Sequence, residues 1–473
     1  VVLTGGTETA LRMLEASPRM RLFAETGGKN ATIVTALADR DQAIKNVLHS
    51  AFSHAGQKCS ATSLLILEKE IFDDPKFKDA LCDAVRSLEV GSAWTPKTKM
   101  GPMIRPPSGE LETALKELEP GESWAVMPRR DRHNPHLYTP AVKWGASPGS
   151  FTHCTEFFGP VLAVMRADDL HHAIELVNAT GYGLTSGLES LDSREQLIWK
   201  ERVRAGNLYV NRGTTGAIVL RQPFGGMGKS AFGPGIKAGG PNYVAQLMRF
   251  EETEPPQVTT DVKDEHLVDL LAKLREDDDH QPVAAADRDR LAAAIHSYVM
   301  ASENEFAQVH DDFRLIGQDN HRRYLPIQHL RIRVHKDDTP FEIVARVAAA
   351  RAAGCRMTIT SSPAAKSSTL EWLDRLTHDW GGVVEFVEET DEALAEVVAE
   401  RATDRIRFAH PERVPDVLLR PAAENCLYLA DQPVSMHGRL ELLWYVEEQS
   451  ISDNYHRYGN LGARAGEQRA ATL

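Results

Sequence analysis

The chain predicts an α/β fold in two units, and three observations carry that reading. Up to about residue 250, short β-rich apolar segments alternate with stretches of helical spacing. From about Leu330 a second series reads βαβαβαβ. The composition, 42% hydrophobic and 26% charged over 473 residues, is that of a globular protein long enough for more than one core.

Val1-Val2-Leu3 reads as the end of a buried strand, Gly5-Gly6 as a turn and Thr7 as a helix start, the order used where backbone N–H groups face a phosphate. With no initiator Met and no upstream partner for that strand, the chain reads as a C-terminal fragment of something longer. Two short apolar pieces flank Gly27-Gly28 within residues 21–34. Residues 41–55 then show helical spacing, with Ile44, Val47, Leu48 and Ala51 on one side. A strand at 62–68 and a helix at 72–88 follow, and 91–109, crowded with Gly and Pro, is a long connection. Further strands are expected at 136–142, 161–165 and 207–211, with helices at 170–179 and 193–203. Seven glycines between Pro223 and Pro241 mark backbone that turns sharply or lies close to something.

Residues 251–290, with Glu251-Glu252-Thr253-Glu254-Pro255-Pro256 and Glu276-Asp277-Asp278-Asp279, read as a charged, partly helical linker. The second unit is expected to place strands at 331–334, 357–360, 383–387 and 406–408, joined by helices at 341–353, 370–380 and 393–401. That is a small parallel sheet with right-handed crossovers. It holds neither GxGxxG nor a P-loop, so the sequence supports no second nucleotide site.

A net charge of -13 and a pI near 5.8 argue against a nucleic-acid surface. The five cysteines are scattered without a CxxC pair, which argues against a disulfide framework or a thiolate metal site, and no metal is expected. No apolar stretch approaches the roughly 20 residues of a spanning helix, and the first residues of this chain do not read as a charged leader followed by an apolar region. The expectation is a cytoplasmic protein without a transmembrane segment.

Three segments in a fixed order carry the chemistry: Glu25-Thr26-Gly27-Gly28-Lys29-Asn30, then Gly56-Gln57-Lys58-Cys59-Ser60, then Glu156-Phe157-Phe158-Gly159-Pro160. A lone cysteine is more often a packing residue. Cys59, however, sits between a helix and a strand among small neighbours, as an accessible thiol requires. A thiol attacking an aldehyde makes a hemithioacetal that gives up a hydride, and the resulting thioester needs an activated water to leave. Lys29 reads as a solvated side chain with no part in the chemistry.

Together these segments resemble the aldehyde dehydrogenase superfamily. The resemblance implies that Cys59 is the nucleophile, its own amide helping to hold the oxyanion, and that Glu25 activates the hydrolytic water. It further implies NAD as cofactor. Gly27 and Gly28 turn beneath the nicotinamide, Glu156 holds the nicotinamide ribose hydroxyls, Phe158 packs beside the cofactor, and Gly5, Gly6 and Thr7 lie under the pyrophosphate. Read without the resemblance, Gly5 to Thr7 is an ordinary strand-to-helix turn.

Asn211-Arg212-Gly213-Thr214-Thr215-Gly216-Ala217, with Gln222-Pro223-Phe224-Gly225-Gly226 and Lys237-Ala238-Gly239-Gly240-Pro241, is similar to the branch that oxidises L-glutamate γ-semialdehyde. There Ser60, Gly216 and Ala217 would grip the substrate α-carboxylate, and Phe158 and Phe224 would wall its aliphatic part. Finally, Glu447-Glu448-Gln449-Ser450-Ile451-Ser452 and His456-Arg457-Tyr458-Gly459-Asn460-Leu461-Gly462 resemble the C-terminal motif of the long bifunctional proline utilization A enzymes. The bland reading of the same tail is an amphipathic helix and a disordered end; the polar-aromatic mix of His456, Arg457 and Tyr458 favours a docked tail.

The resemblance implies 1–40 as the end of an NAD-binding domain, 41–250 as the catalytic domain, 251–329 as the linker and 330–473 as a Rossmann-like lid domain with its terminal motif. It also implies a proline dehydrogenase module, with FAD, in the same parent chain upstream, a small-molecule substrate and a homo-oligomer. Two other readings stay open: a dehydrogenase of a different carboxylated aldehyde, and a non-catalytic assembly or lid scaffold.

Overall fold

The computed structural model describes residues 1–252, 254–276, 281–365 and 367–470. Asp277, Asp278 and Asp279 of the acidic run lie outside the described residues. The chain is mixed α/β, built on a nine-stranded sheet, a five-stranded sheet and two small sheets.

The nine-stranded sheet is parallel from Val446–Asn454 through Asn207–Val210, Thr185–Glu189, Asn30–Val34, Thr62–Glu68 and Val161–Ala167 to Ala141–Trp144. Gln318–Pro326 and Ser123–Val126 close its two edges antiparallel. Helices cover both faces, so the inner strands are apolar on both sides. Thr62–Glu68 sends Leu65 and Leu67 to the core under helices Arg40–Phe52 and Pro75–Arg86. It sends Leu64 and Ile66 to the core under Leu170–Ala179 and Ser193–Arg202.

Two elements differ from the sequence reading for local reasons. The helix expected at 72–88 is broken into Lys69–Phe72 and Pro75–Arg86. Asp74 caps the second piece, accepting from the Lys76 N–H at 2.9 Å, and Pro75 fits only a first turn. The strand expected at 136–142 forms at Ala141–Trp144, and Thr185–Glu189, which carries no alternation, is a strand buried at every position.

The segment 251–329 is more than a linker. It holds helices Glu265–Arg275 and Ala285–Ala301 and the long strand Gln318–Pro326. In the tail, Val446–Asn454 is an inner strand of the large sheet, which overturns the bland reading of an amphipathic helix and a disordered end. Its polar side chains hid this, because they are buried and satisfied. Ser450 Oγ meets Asn207 Oδ1 at 3.0 Å and Gln449 Nε2 donates to the Ala205 carbonyl at 2.8 Å. The expected division at residue 330 therefore cuts through one sheet.

The smaller sheet runs Val384–Glu388, Met357–Ser361, Leu330–Val334, Arg405–Arg407 and Tyr428–Ala430, all parallel. The order reverses beside Leu330–Val334, as in doubly wound folds. Its helix Pro340–Ala352 starts with a capping box between Thr339 and Glu342. Helix Ala285–Ala301 shares that core, through Leu291 and Ile295 with Val344 and Val347. Beyond the last strand, Arg457 pairs with Asp39 at 2.5 Å and Arg464 with Asp319 at 2.8 Å.

Candidate active site

Cys59 lies in the loop between helix Arg40–Phe52 and strand Thr62–Glu68, half-buried. A 3₁₀ turn, Ser53–Gly56, brings the chain there with His54, Ala55 and Gly56 all at positive φ. Gly56 is required, because a Cβ there would collide with the Gly159 carbonyl oxygen. That contact joins the cysteine loop to the Glu156–Pro160 segment, and Gln57 Nε2 reinforces it by donating to the Phe158 carbonyl at 3.2 Å.

Asn30, at the start of its strand, clamps the same loop. Its Nδ2 donates to the Cys59 carbonyl at 2.7 Å and the Ala61 carbonyl at 3.0 Å, while its Oδ1 accepts from the Thr185 N–H at 3.0 Å. Burial pushes the Cys59 thiol above its ordinary pKa, and the charges of Glu156 and Glu25 push the same way. The Ser60 and Cys59 amides, facing the sulfur, pull it down. Both carboxylates thus lie close enough for their charges to act on the thiol.

Glu25 ends the strand Phe23–Glu25. Its Oε2 accepts the Gly226 N–H at 2.7 Å, and a side chain at Gly225 would strike its Oε1. Burial raises Glu25 to about 7, against the pull of Lys237 and the Gly226 amide. A carboxyl poised there can accept a proton at neutral pH. Glu156 lies against Gly27, where any Cβ would overlap its carboxylate; it accepts the Gly28 N–H and is raised by burial.

Ser60 is buried, and its carbonyl accepts Thr214 Oγ1 at 2.8 Å, so the loop bearing Gly216 and Ala217 is tied to the cysteine loop. Gly216 is exposed at φ 91°. Phe158 is 41% exposed, whereas Phe157 beside it is buried. Phe224 is half-buried in the glycine-rich segment, paired through its backbone with Ala238 at 2.8 Å. Gly5 donates to the Glu25 carbonyl at 3.1 Å, and Gly6 starts the helix Thr7–Ala16 with no side-chain cap on its first N–H groups. Those free donors and the paired carboxylate oxygens of Glu156 fit a ligand carrying phosphate and vicinal hydroxyls.

Lys29 is not solvated. It is buried over the Phe157 ring at 4.1 Å, its Nζ finds no hydrogen-bond partner among the described residues, and burial lowers it to about 7. Asn30 and Lys29 stand inside a quoted motif, yet nothing in residue type or spacing distinguishes a clamp from a packing residue. Lys237 and Glu448, buried next to Glu25's surroundings, also stand inside motif segments, yet nothing in residue type or spacing links either of them to Glu25.

The aldehyde dehydrogenase family model matches residues 1–252. The chain belongs to the aldehyde dehydrogenase family. It is 34% identical over 264 residues to the 1-pyrroline-5-carboxylate dehydrogenase of Bacillus subtilis (strain 168), covering 54% of this chain and 50% of that protein. The enzyme of the same name from Geobacillus thermodenitrificans (strain NG80-2) is 33% identical over 260 residues, covering 53% and 49%. Among solved structures, proline utilization A (PutA) from Corynebacterium freiburgense superposes with a TM-score of 0.76 at 36% identity, over 97% of this chain and 42% of that one. The chain spans about half the length of the curated relatives it matches. Across the PutA structure the likeness extends past the family segment, which ends at residue 252, to 97% of this chain. Among the described residues, no helix of this family member is long and apolar enough to cross a membrane.

Proposed function

We propose that the chain is the aldehyde-oxidising portion of a bifunctional proline-catabolic protein, converting L-glutamate γ-semialdehyde to L-glutamate with NAD+. The observation that carries this is the convergence of the Cys59 thiol with Glu25 and Glu156. The names of the relatives support the choice of substrate.

Cys59 Sγ attacks the aldehyde carbon, and its own amide holds the developing oxyanion. Glu156 would hold the ribose hydroxyls of NAD+ beside Phe158 and Gly27, Gly5, Gly6 and Thr7 would serve its phosphates, and the cofactor would supply the hydride acceptor. Glu25, poised at about 7, then takes a proton from water as its oxygen attacks the thioester, which releases the carboxylate product and restores the thiol. Ser60 with the amides of Gly216 and Ala217 receives the substrate α-carboxylate, and Phe158 and Phe224 flank its methylenes.

In this reading residues 1–40 belong to the NAD-binding domain and 41–250 to the catalytic domain. A proline dehydrogenase module with FAD lies elsewhere in the same protein, the assembly is a homo-oligomer, and the compartment is the cytoplasm. The test is NADH formation by the full-length protein from L-glutamate γ-semialdehyde and from succinic semialdehyde. Preference for the first supports the assignment; preference for the second indicates another carboxylated aldehyde; no turnover of either favours a scaffold.

A further inference from the structure

From Glu25 a chain of hydrogen bonds runs to a strand near the far end of the sequence. The Gly226 N–H donates to Glu25 Oε2, the Gly226 carbonyl accepts Lys237 Nζ, and the Lys237 N–H donates to Glu448 Oε2 at 2.9 Å. Lys237 and Glu448 are fully buried. Glu448 Oε1 has no hydrogen-bond partner among the described residues. Such a group is costly to bury and adds nothing to packing that a leucine would not supply.

Glu448 arrives there on the strand Val446–Asn454, whose Glu448 N–H also donates to the Gly235 carbonyl at 3.0 Å. The glycine-rich segment is open to it because a side chain at Gly240 would meet Glu448 Oε1 and one at Gly225 would meet Glu25 and Lys237. A strand about two hundred residues downstream thus braces the loop that holds Glu25.

We propose that Lys237 and Glu448 are positioning residues for Glu25. Lys237 supplies the cation that favours the ionised form of Glu25, and Glu448 fixes the Lys237 backbone so that the cation stays there. This rests on the aldehyde-oxidising reading, in which Glu25 activates water. The other groups facing the path are few. Glu25 also faces Cys59 and Tyr243. Lys237 also faces Glu447 and Arg405. Glu448 faces Arg322, Tyr324 and Glu305, of which Arg322 and Glu305 pair with each other at 3.1 Å. Arg405 is held by the Trp444, Val446 and Pro234 carbonyls, whereas Lys237 is the cation that acts on Glu25.

The test follows the pH dependence of thioester hydrolysis in the full-length protein, read in two ways. One is NADH formation from L-glutamate γ-semialdehyde. The other is steady-state hydrolysis of p-nitrophenyl acetate without cofactor: Cys59 displaces p-nitrophenolate, water then cleaves the acetyl thioester, and Glu25 takes the proton. Lys237→Met is expected to move the ascending limb of both profiles upward by about one pH unit or more, the shift an opposite charge makes. Glu448→Leu is expected to move it in the same direction, whereas Glu448→Gln, which keeps an acceptor for the Lys237 N–H, leaves it near the wild-type position. An unmoved limb in folded Lys237→Met, or equal shifts in the two Glu448 variants, overturns the inference. Should Lys237→Met not fold, Lys237→Arg decides: with the cation kept, a limb displaced by a unit overturns it. Wild-type protein that turns over neither semialdehyde sinks the aldehyde-oxidising reading itself, an outcome separate from a wild-type profile that the variants merely copy.

Discussion

Asn30 Nδ2 donates to the Cys59 carbonyl oxygen across 2.7 Å, from the first residue of the neighbouring strand. The thiol is therefore positioned by the sheet and not by its own loop. Asn30→Ala leaves the Cys59 and Ala61 carbonyls and the Thr185 N–H without their partner, at about 1–3 kcal/mol for each buried group left unpaired. The expected result is a lower melting temperature and at least about a tenfold loss of aldehyde oxidation, since about 1.4 kcal/mol of misplacement already costs that factor. Thermal unfolding together with steady-state kinetics checks it; unchanged kinetics would show that the loop holds itself.

Cys59→Ala should abolish NADH formation in the full-length protein. The melting temperature should barely change, because the thiol is half-exposed and its removal leaves no large cavity. Retained turnover refutes the nucleophile.

The raised pKa of Glu25 has a thermodynamic sign. A carboxyl at about 7 in the fold and near 4.5 unfolded contributes stability that is complete below 4.5 and is lost as pH rises through 7. Glu25→Gln removes that dependence. Its melting temperature relative to wild type should therefore be higher at about pH 8 than at about pH 5, while acyl hydrolysis collapses at both. A difference that is flat with pH would mean that Glu25 is not buried as an acid.

Lys29 titrates the other way. An amine lowered to about 7 in the fold and near 10.5 unfolded destabilises the protein fully below 7, and the cost fades as pH rises through 10.5. Lys29→Met, with no hydrogen bond to lose at Nζ, should raise the melting temperature more at about pH 6 than at about pH 9. The same change takes away the cation facing Glu156, so NAD affinity, read by calorimetry on the full-length protein, should fall. Equal stabilisation at both pH values would contradict the burial argument.

Ending the chain after Gln449 would do more than uncover a site. It removes half of a strand that pairs with Asn207–Val210 on one side and Gln318–Pro326 on the other. The melting temperature should drop by on the order of 10 °C or the protein should fail to fold, with loss of activity secondary to that. A truncated protein of normal stability and low activity would instead indicate a lid.

Much of this protein was determined by sequence locally. The apolar run Thr62–Glu68, the helix at residues 41–55 and the strand–helix series after Leu330 were legible because burial on both faces and a helical stripe leave periodic signals in residue type. The Glu25, Cys59 and Glu156 segments were legible because their chemistry demands those residues with glycines beside them, and the fold brings the three together. What tertiary structure alone decided is how distant polar residues are used. Glu448 and Gln449 look like a solvated tail until a sheet buries them, Lys29 looks exposed until Phe157 and Glu156 enclose it, and Asn30 gains its role only when Cys59 lies one strand away. The physical reason is that apolar burial writes its pattern along the chain, whereas a buried polar group is stabilised by partners that lie far off in sequence and are set by the fold.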